Sequence, residues 1–328
     1  MPFPGATAAR ATDRHSSEDT DADGATDHEA GADGSGPNYV LVGAPLDATT
    51  TFQPGTRFGP DRVRRFARTF DDYDHHTGRS FSACGVHDAG DVAPWDDTSA
   101  YLDHLAAELR AAVLDDAVPL TVGGEHLVSW SGVRATEPDT FVVLDAHLDL
   151  RAAYDGNPLN HACVTRRILD GLGGADDDAD DGGETHDDAA DGGGDGESYP
   201  TVDEVVILGA RTGSPEEWER AEATDVTVVP PAEVSEWEPS FSGSAYLSVD
   251  VDGADPAYAP GTGTMEPFGL APREMHRVVR AVAPECVGFD VVEVNDRDDG
   301  QAAALAGKLL RAFVYEHADA HRGASGGN

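Results

Sequence analysis

Apolar positions recur along this chain with two different periods. Short runs rich in β-branched and aromatic residues read as buried strands at Asn38–Gly43, Val118–Val122, Thr140–Asp145, Glu204–Leu208, Val226–Val229, Tyr246–Val251 and Cys286–Val292. Between them, apolar residues return at helical spacing. Val63, Phe66, Ala67 and Phe70 follow Pro60, which opens a helix, and Leu102, Leu105, Leu109 and Val113 mark a longer helix after Thr98. Further helices are expected around Arg166, Ile168 and Leu169, over Ser214–Ala223, over Pro272–Val282 and from Gln301 to about His317. Ser214 reads as a cap, with Pro215 at the first helical position and Glu216-Glu217 in the first turn.

Strands without a polar face need cover on both sides. Alternating with helices, they predict an α/β fold: three layers, α/β/α, around a mainly parallel central sheet in a single catalytic domain. Sites in such sheets form at the carboxyl ends of the strands.

Two stretches carry neither period. Residues 1–36 are rich in Asp, Gly and Ala and are expected to form an acidic disordered tail. Residues 171–198 are mostly Asp and Gly and read as a disordered surface insertion rather than a boundary, so the domain spans 37–320 with a flexible end at 321–328.

Composition sharpens the picture. The 328 residues hold 62 Asp and Glu against 22 Lys and Arg, a formal net charge of -40. The two low-complexity tracts do not account for this, because the remainder keeps about two acids per base. Such a surface disfavours nucleic acid and anionic membranes, and suits a protein kept hydrated in a salt-rich cytoplasm, where charges are screened over about 3 Å at 1 M salt. Cys84, Cys163 and Cys286 are too few and too scattered for a disulfide framework or a thiolate cluster. The amino terminus lacks a signal-like pattern and no apolar run approaches membrane-spanning length, so a soluble intracellular protein is expected.

Candidate chemistry gathers at strand ends. Strand 118–122 runs into Gly123-Gly124-Glu125-His126, and strand 140–145 into Asp145-Ala146-His147-Leu148-Asp149. Strand 246–251 carries Ser248-Val249-Asp250-Val251-Asp252-Gly253-Ala254-Asp255-Pro256, and strand 286–292 ends in Val291-Val292-Glu293-Val294-Asn295. Where the chain stays extended, Asp145, His147 and Asp149 share a face, as do Asp250 and Asp252. A solvated acidic edge is the alternative for any one of these segments, but salt adaptation does not explain two imidazoles aligned with them. Carboxylates with one imidazole per ion and no thiolate suit Mn²⁺, and six ligands fit two ions. Four aspartates balance two divalent charges. A water bridging two such ions ionises near neutral pH, so the reaction class is metal-assisted hydrolysis.

In this order the four segments resemble the signatures of the ureohydrolase (arginase/agmatinase) family, most of all archaeal agmatinases, and Pro54-Gly55-Thr56-Arg57-Phe58-Gly59-Pro60 resembles that family's amino-terminal loop. The resemblance implies an arginase-like fold and a binuclear manganese amidinohydrolase that makes putrescine and urea from agmatine, a metal-bridging hydroxide attacking the guanidinium carbon. It implies one Mn²⁺ on His126, Asp145, Asp149 and Asp250 and a second on His147, Asp145, Asp250 and Asp252, with Asp149 also orienting the nucleophile. Glu293 matches the guanidinium-binding carboxylate, and His161 the mobile histidine that delivers a proton to the leaving amine. A homo-oligomer, trimer or hexamer, is implied as well. Glu125 stands where many members have Asp, Leu127 where Ser is common, and Asn295-Asp296 where Asn-Pro is usual, so loop geometry near Glu293 is in question while no ligand is lost. Arginine and guanidinobutyrate are alternative substrates. In the loop 151–159, Asp155 is expected to meet the amine of agmatine, whereas Arg151, if it points inward, argues against a cation there.

Overall fold

Alternate residues of the apolar run Thr140–Leu144 enter different cores: Phe141 and Val143 pack on one side of a sheet, Val142 and Leu144 on the other. Successive strand side chains point to opposite faces, so a run with no polar face needs an apolar layer on each side. Each fully buried Val, Leu or Phe then contributes about 1.5–3 kcal/mol. The computed structural model describes residues 1–8, 38–93, 95–172, 199–241 and 243–322. The expected disorder of residues 9–36, 173–198 and 323–328 lies outside the described residues.

In chain order the strands are β1 (Thr7–Ala8), β2 (Asn38–Ala44), β3 (Tyr73–Asp74), β4 (Arg79–Ser80), β5 (Val86–Asp91), β6 (Ala117–Gly123), β7 (Thr140–Leu144), β8 (Glu204–Leu208), β9 (Val226–Val229), β10 (Ala245–Asp250) and β11 (Cys286–Val292). The helices are α1 (Gly59–Ala67), α2 (Thr98–Leu114), α3 (Val128–Thr136), α4 (Val164–Asp170), α5 (Pro215–Ala223), α6 (Pro231–Val234), α7 (Pro272–Val282) and α8 (Gln301–Ala320). Nine strands form one sheet in the order β1-β5-β2-β6-β11-β10-β7-β8-β9, every neighbouring pair parallel. A small antiparallel hairpin, β3–β4, stands apart. Helices α1, α7 and α8 cover one face; α2, α3, α4 and α5 cover the other.

Chain order and spatial order part company in the middle of the sheet. β6 and β7 follow one another in the chain, yet β11 and β10 lie between them. A reversal of this kind opens a crevice at the carboxyl ends of the strands. The register brings those ends to one level: Val122 pairs with Val291, Val292 with Asp250, and Val249 with Leu144. All four motif-bearing strands are therefore adjacent and stop together.

Several elements follow the local code closely. Strands β8, β9 and β11 and helix α7 have the expected bounds. The expected cap of α5 is a full capping box: Glu217 N–H donates to Ser214 Oγ (3.4 Å) and Ser214 N–H to Glu217 Oε2 (2.8 Å). Helix α8 runs three residues past His317, to Ala320.

Elsewhere tertiary contacts override the pattern. The expectation that all of residues 1–36 lack a fold fails at Met1–Ala8. Phe3 is fully buried, its ring 5.4 Å from Phe81 and its N–H 2.5 Å from Asp88 Oδ2. Thr7 and Ala8 then extend the sheet beyond β5. One aromatic side chain with a prepared cavity outweighs its Gly- and Ala-rich surroundings. Helix α3 was not foreseen, because Val128–Ala135 is buried at nearly every position and shows no polar face to set a period. Among the described residues, no helix is long and apolar enough to cross a membrane.

Candidate metal centre

At the end of β6 the chain must pass against the segment after β2. A Cβ on Gly124 would lie 1.8 Å from Leu46 O, so only glycine fits. The turn is held by Gly124 N–H donating to Ala44 O (2.7 Å) and by Gly124 O accepting from Glu293 N–H (2.8 Å). It delivers His126, fully buried, into the crevice.

Three carboxylates converge on His126 Nδ1: Asp149 Oδ2 at 3.0 Å, Asp145 Oδ2 at 3.1 Å and Asp250 Oδ2 at 3.4 Å. A second group forms around His147 Nδ1, with Asp252 Oδ2 at 3.1 Å and Asp145 Oδ1 at 3.4 Å. Asp145 thus turns one oxygen to each group. Ligand-type atoms of His126, Asp145 and Asp250, and likewise of Asp145, His147 and Asp252, lie within 4.8 Å of one another.

The route to this convergence differs from simple strand alternation. β7 ends at Leu144, and Asp145–Asp149 is a loop in which Asp149 takes the left-handed backbone conformation (φ 52°). Asp252 lies in a 3₁₀ turn, Val251–Gly253, that Asp250 initiates by accepting from Asp252 N–H (2.9 Å). Glu293 is left-handed too (φ 61°). Loop turns, not period two, aim these side chains.

Taken by themselves the side chains cannot all keep their ordinary charges. Burial pulls the His126 ring down, but Asp145 and Asp149 outweigh it and raise it well above the usual imidazole range. His147 behaves likewise and is pushed up to about 12, Asp252 and Asp145 overcoming burial. Burial and the neighbouring Asp145 push Asp149 up to about 6, and burial with Asp252, Asp145 and Glu293 raises Asp250 well above its ordinary value. Only Asp145 is lowered, because its two imidazole partners outweigh its burial. Asp145 Oδ2 is buried, and its one close cationic partner, His126 Nδ1 at 3.1 Å, is shared with Asp149 and Asp250. Such a donor set calls for added cationic charge, and a shared carboxylate between two imidazole–carboxylate groups fits two divalent ions.

Outer contacts hold the clustered side chains in place. Behind His126, Nε2 meets Ser248 Oγ (3.3 Å), which donates to the buried Asp290 Oδ1 (2.6 Å). Thr264 Oγ1 donates to Asp252 Oδ2 (3.1 Å). Arg211 donates to the carbonyls of Asp252 (2.9 Å), Gly253 (3.2 Å) and Ala254 (3.3 Å), bracing the turn that carries Asp252. None of these was singled out for the site from the sequence. Arg211 does stand at a strand end, but no carboxylate motif flags it.

A cavity of about 140 Å³ opens onto the cluster, lined by His147, Asp149, Asp252, His161, Arg151 and Tyr154 among others. Glu293 lies just behind His161: its Oε1 accepts from His126 N–H (2.9 Å) and faces His161 Nδ1 at 3.4 Å. Burial pulls the His161 ring down, yet Glu293, Asp149 and Glu125 push it up to about 9. Its Nε2 meets both Thr51 N–H (3.0 Å) and Thr51 Oγ1 (2.9 Å). The neutral ring can accept from the amide, and the protonated ring can donate to the hydroxyl, so Thr51 serves both states.

Asp155 does not take the place expected of it. It sits exposed at the tip of a tight turn, where Tyr154 and Asn157 exchange backbone hydrogen bonds (3.0 and 2.9 Å) and Asp155 and Gly156 both have positive φ. Asp-Gly suits that geometry, and turn chemistry explains the residue. The cavity wall is instead made by Tyr154 and by Arg151, which pairs with Glu217 Oε2 at 3.2 Å.

The family model of the arginase family matches residues 37–315. An agmatinase of Bacillus cereus is 32% identical over 292 residues, covering 84% of this chain and 90% of that protein. Among solved structures, the agmatine ureohydrolase of Thermoplasma volcanium superposes with a TM-score of 0.72 at 32% identity, covering 86% of this chain and 90% of the other. Proclavaminate amidinohydrolase from Streptomyces clavuligerus gives 0.72 at 28% identity, covering 87% and 93%.

Proposed function

The chain belongs to the arginase family, and on that premise we propose that it hydrolyses agmatine to putrescine and urea. The observation that carries the reading is Asp145, a buried carboxylate shared by two imidazole–carboxylate groups, of which His147, Asp149, Asp250 and Asp252 line one cavity. His126, Asp145, Asp149 and Asp250 would hold one divalent ion and His147, Asp145, Asp250 and Asp252 a second, manganese in this reading. Such ions supply Lewis acidity and ionise a water near neutral pH.

The protein's own groups do the rest. Glu293 Oε1 already draws two N–H groups toward it, from His126 and His161. The planar substrate cation takes the place of the second and is oriented by a charge-assisted bond. Asp149, on the cavity wall, accepts a hydrogen bond from the attacking water. Water adds to the guanidinium carbon, the C–N bond to the alkyl chain breaks, and His161 passes a proton to the departing nitrogen. A trimer or hexamer in a salt-rich cytoplasm belongs to the same reading, supported by the acidic composition and by Phe52 and Phe268, 80% and 87% exposed, which a neighbouring copy would cover.

A second reading keeps the chemistry and replaces agmatine by a guanidino acid. Arg151 on the cavity wall favours it, since a guanidinium attracts a carboxylate tail and repels an amine. Glu217 offsets that charge at 3.2 Å, which is why agmatine is preferred. Urea release from agmatine, 4-guanidinobutyrate and arginine, measured side by side in concentrated KCl with Mn²⁺, tests both. Chelator-sensitive turnover of agmatine is expected. Urea from the acids alone would overturn the substrate, and no urea from any of them would overturn the reaction.

A further inference from the structure

Glu125 precedes a ligand but belongs to neither candidate cation group. It is fully buried and forms no ion pair among the described residues. A buried carboxylate is expensive unless hydrogen bonds replace its water. Its donors all come from one short segment: Thr49 N–H (2.9 Å) and Thr50 Oγ1 (3.1 Å) to Oε2, and Thr49 Oγ1 (2.6 Å) to Oε1.

The same segment grips His161. Thr49 Oγ1 gives its hydrogen to Glu125 and accepts from His161 N–H (3.0 Å). Thr49 O accepts from Asn160 Nδ2 (2.9 Å), and Thr51 meets His161 Nε2 through both its amide and its hydroxyl. Three consecutive threonines thus join a fixed carboxylate at the end of β6 to the ring at the cavity wall. The tie runs through a single hydroxyl at Thr49 and two peptide units, so a change at one end reaches the other.

We propose that Glu125 is a positioning residue: through Thr49, Thr50 and Thr51 it fixes the place and ring orientation of His161. That His161 moves a proton rests on the function proposed above; that Glu125 places it does not.

Glu125→Gln puts an amide either against Thr49 N–H, a donor–donor clash, or against Thr49 Oγ1, which must then turn its hydrogen away and accept; in both cases the charge-assisted bonds that hold Thr49 are weakened or lost. Amide hydrogen exchange reads the coupling without any substrate. In the Mn²⁺-loaded protein, the amides of Thr49, Thr51 and His161 should exchange at least tenfold faster in Glu125→Gln. Gly124 N–H, which is bonded to Ala44 O, should be unchanged. Thr49→Val should show the same pattern and Thr49→Ser should not, which keeps the test open if Glu125→Gln fails to fold. Unaltered exchange at His161 in every variant that folds overturns the proposal.

With agmatine, Glu125→Gln should lower kcat by about 10²-fold, the usual cost of misplacing a group by about 1 Å. KM and bound metal should hold, and added imidazole should restore part of kcat. Faster exchange with undiminished kcat would also overturn the positioning role. If the wild type releases no urea from any guanidino compound, the proposed reaction fails while the exchange data still decide the link between Glu125 and His161.

Discussion

Asp250→Asn should change thermal stability with opposite signs depending on whether divalent cations are present. Asp250 is buried, and its carboxyl is raised well above the ordinary value by that burial first and then by Asp252, Asp145 and Glu293. A carboxyl raised in the folded state costs stability as pH climbs past its unfolded value near 4. Two like charges at the 4.8 Å limit of the ligand groups repel by about 3 kcal/mol at an effective dielectric of about 20. Partial protonation and relaxation reduce this to roughly 1–3 kcal/mol, a few degrees of Tm for a domain of this size. Asparagine removes the charge while Oδ1 still accepts from Asp252 N–H, and the His126 Nδ1 hydrogen keeps the nearer oxygens of Asp149 and Asp145 as acceptors. With chelator at pH 8 the variant should therefore melt a few degrees above the wild type, and the gain should vanish near pH 4. With Mn²⁺ at about 100 times its Kd each occupied site adds about 2.7 kcal/mol to the wild type, and the variant, lacking an anionic bridge, should lose most of that. Concentrated KCl should leave the reversal in place, since buried charges are screened little. Calorimetric melting of both proteins, with chelator and with Mn²⁺, decides it. A variant that melts below the wild type in chelator, or gains as much from Mn²⁺, would refute a charge-strained cation site.

Metal binding should release protons and weaken as pH falls through about 6, where Asp149 takes up the proton that burial and Asp145 favour. Titration calorimetry in buffers of different ionisation enthalpy measures the release, and buffer-independent heats would contradict it. Phe3→Ala should cost about 3–5 kcal/mol by emptying a fully buried aromatic site; an unchanged denaturation midpoint would mean that the first eight residues are ornamental to the fold. Arg151→Gln should raise kcat/KM for agmatine relative to 4-guanidinobutyrate by about tenfold, roughly 1.4 kcal/mol for removing one half-neutralised charge. Asp155→Asn, which tolerates the same left-handed turn, should leave that ratio within a factor of about two; a larger fall would restore Asp155 to the substrate site.

The sequence by itself was enough for the layers, the parallel sheet and the identity of the cluster. Strand and helix periods are local properties, and Phe141 to Leu144 or Ser214-Pro215 with Glu217 mean the same thing in any context. The members of the cluster were legible for a related reason: His126, Asp145, His147, Asp250 and Asp252 sit at strand ends, where a parallel sheet brings chemistry together whatever the spatial order. Tertiary structure decided what that local code leaves open. It placed β10 and β11 between β6 and β7, so that segments up to 167 residues apart meet, as His126 N–H and Glu293 do. It buried Phe3 in a cavity that no neighbour in sequence announces, and made a helix of Val128–Thr136 with no polar face to mark it. It also turned Asp155 outward and Arg151 inward within one loop. Side-chain type records what a position can do; which way a loop residue points depends on positive φ values, shared hydrogen bonds and the fit of distant elements, and those are settled only when the whole chain has packed.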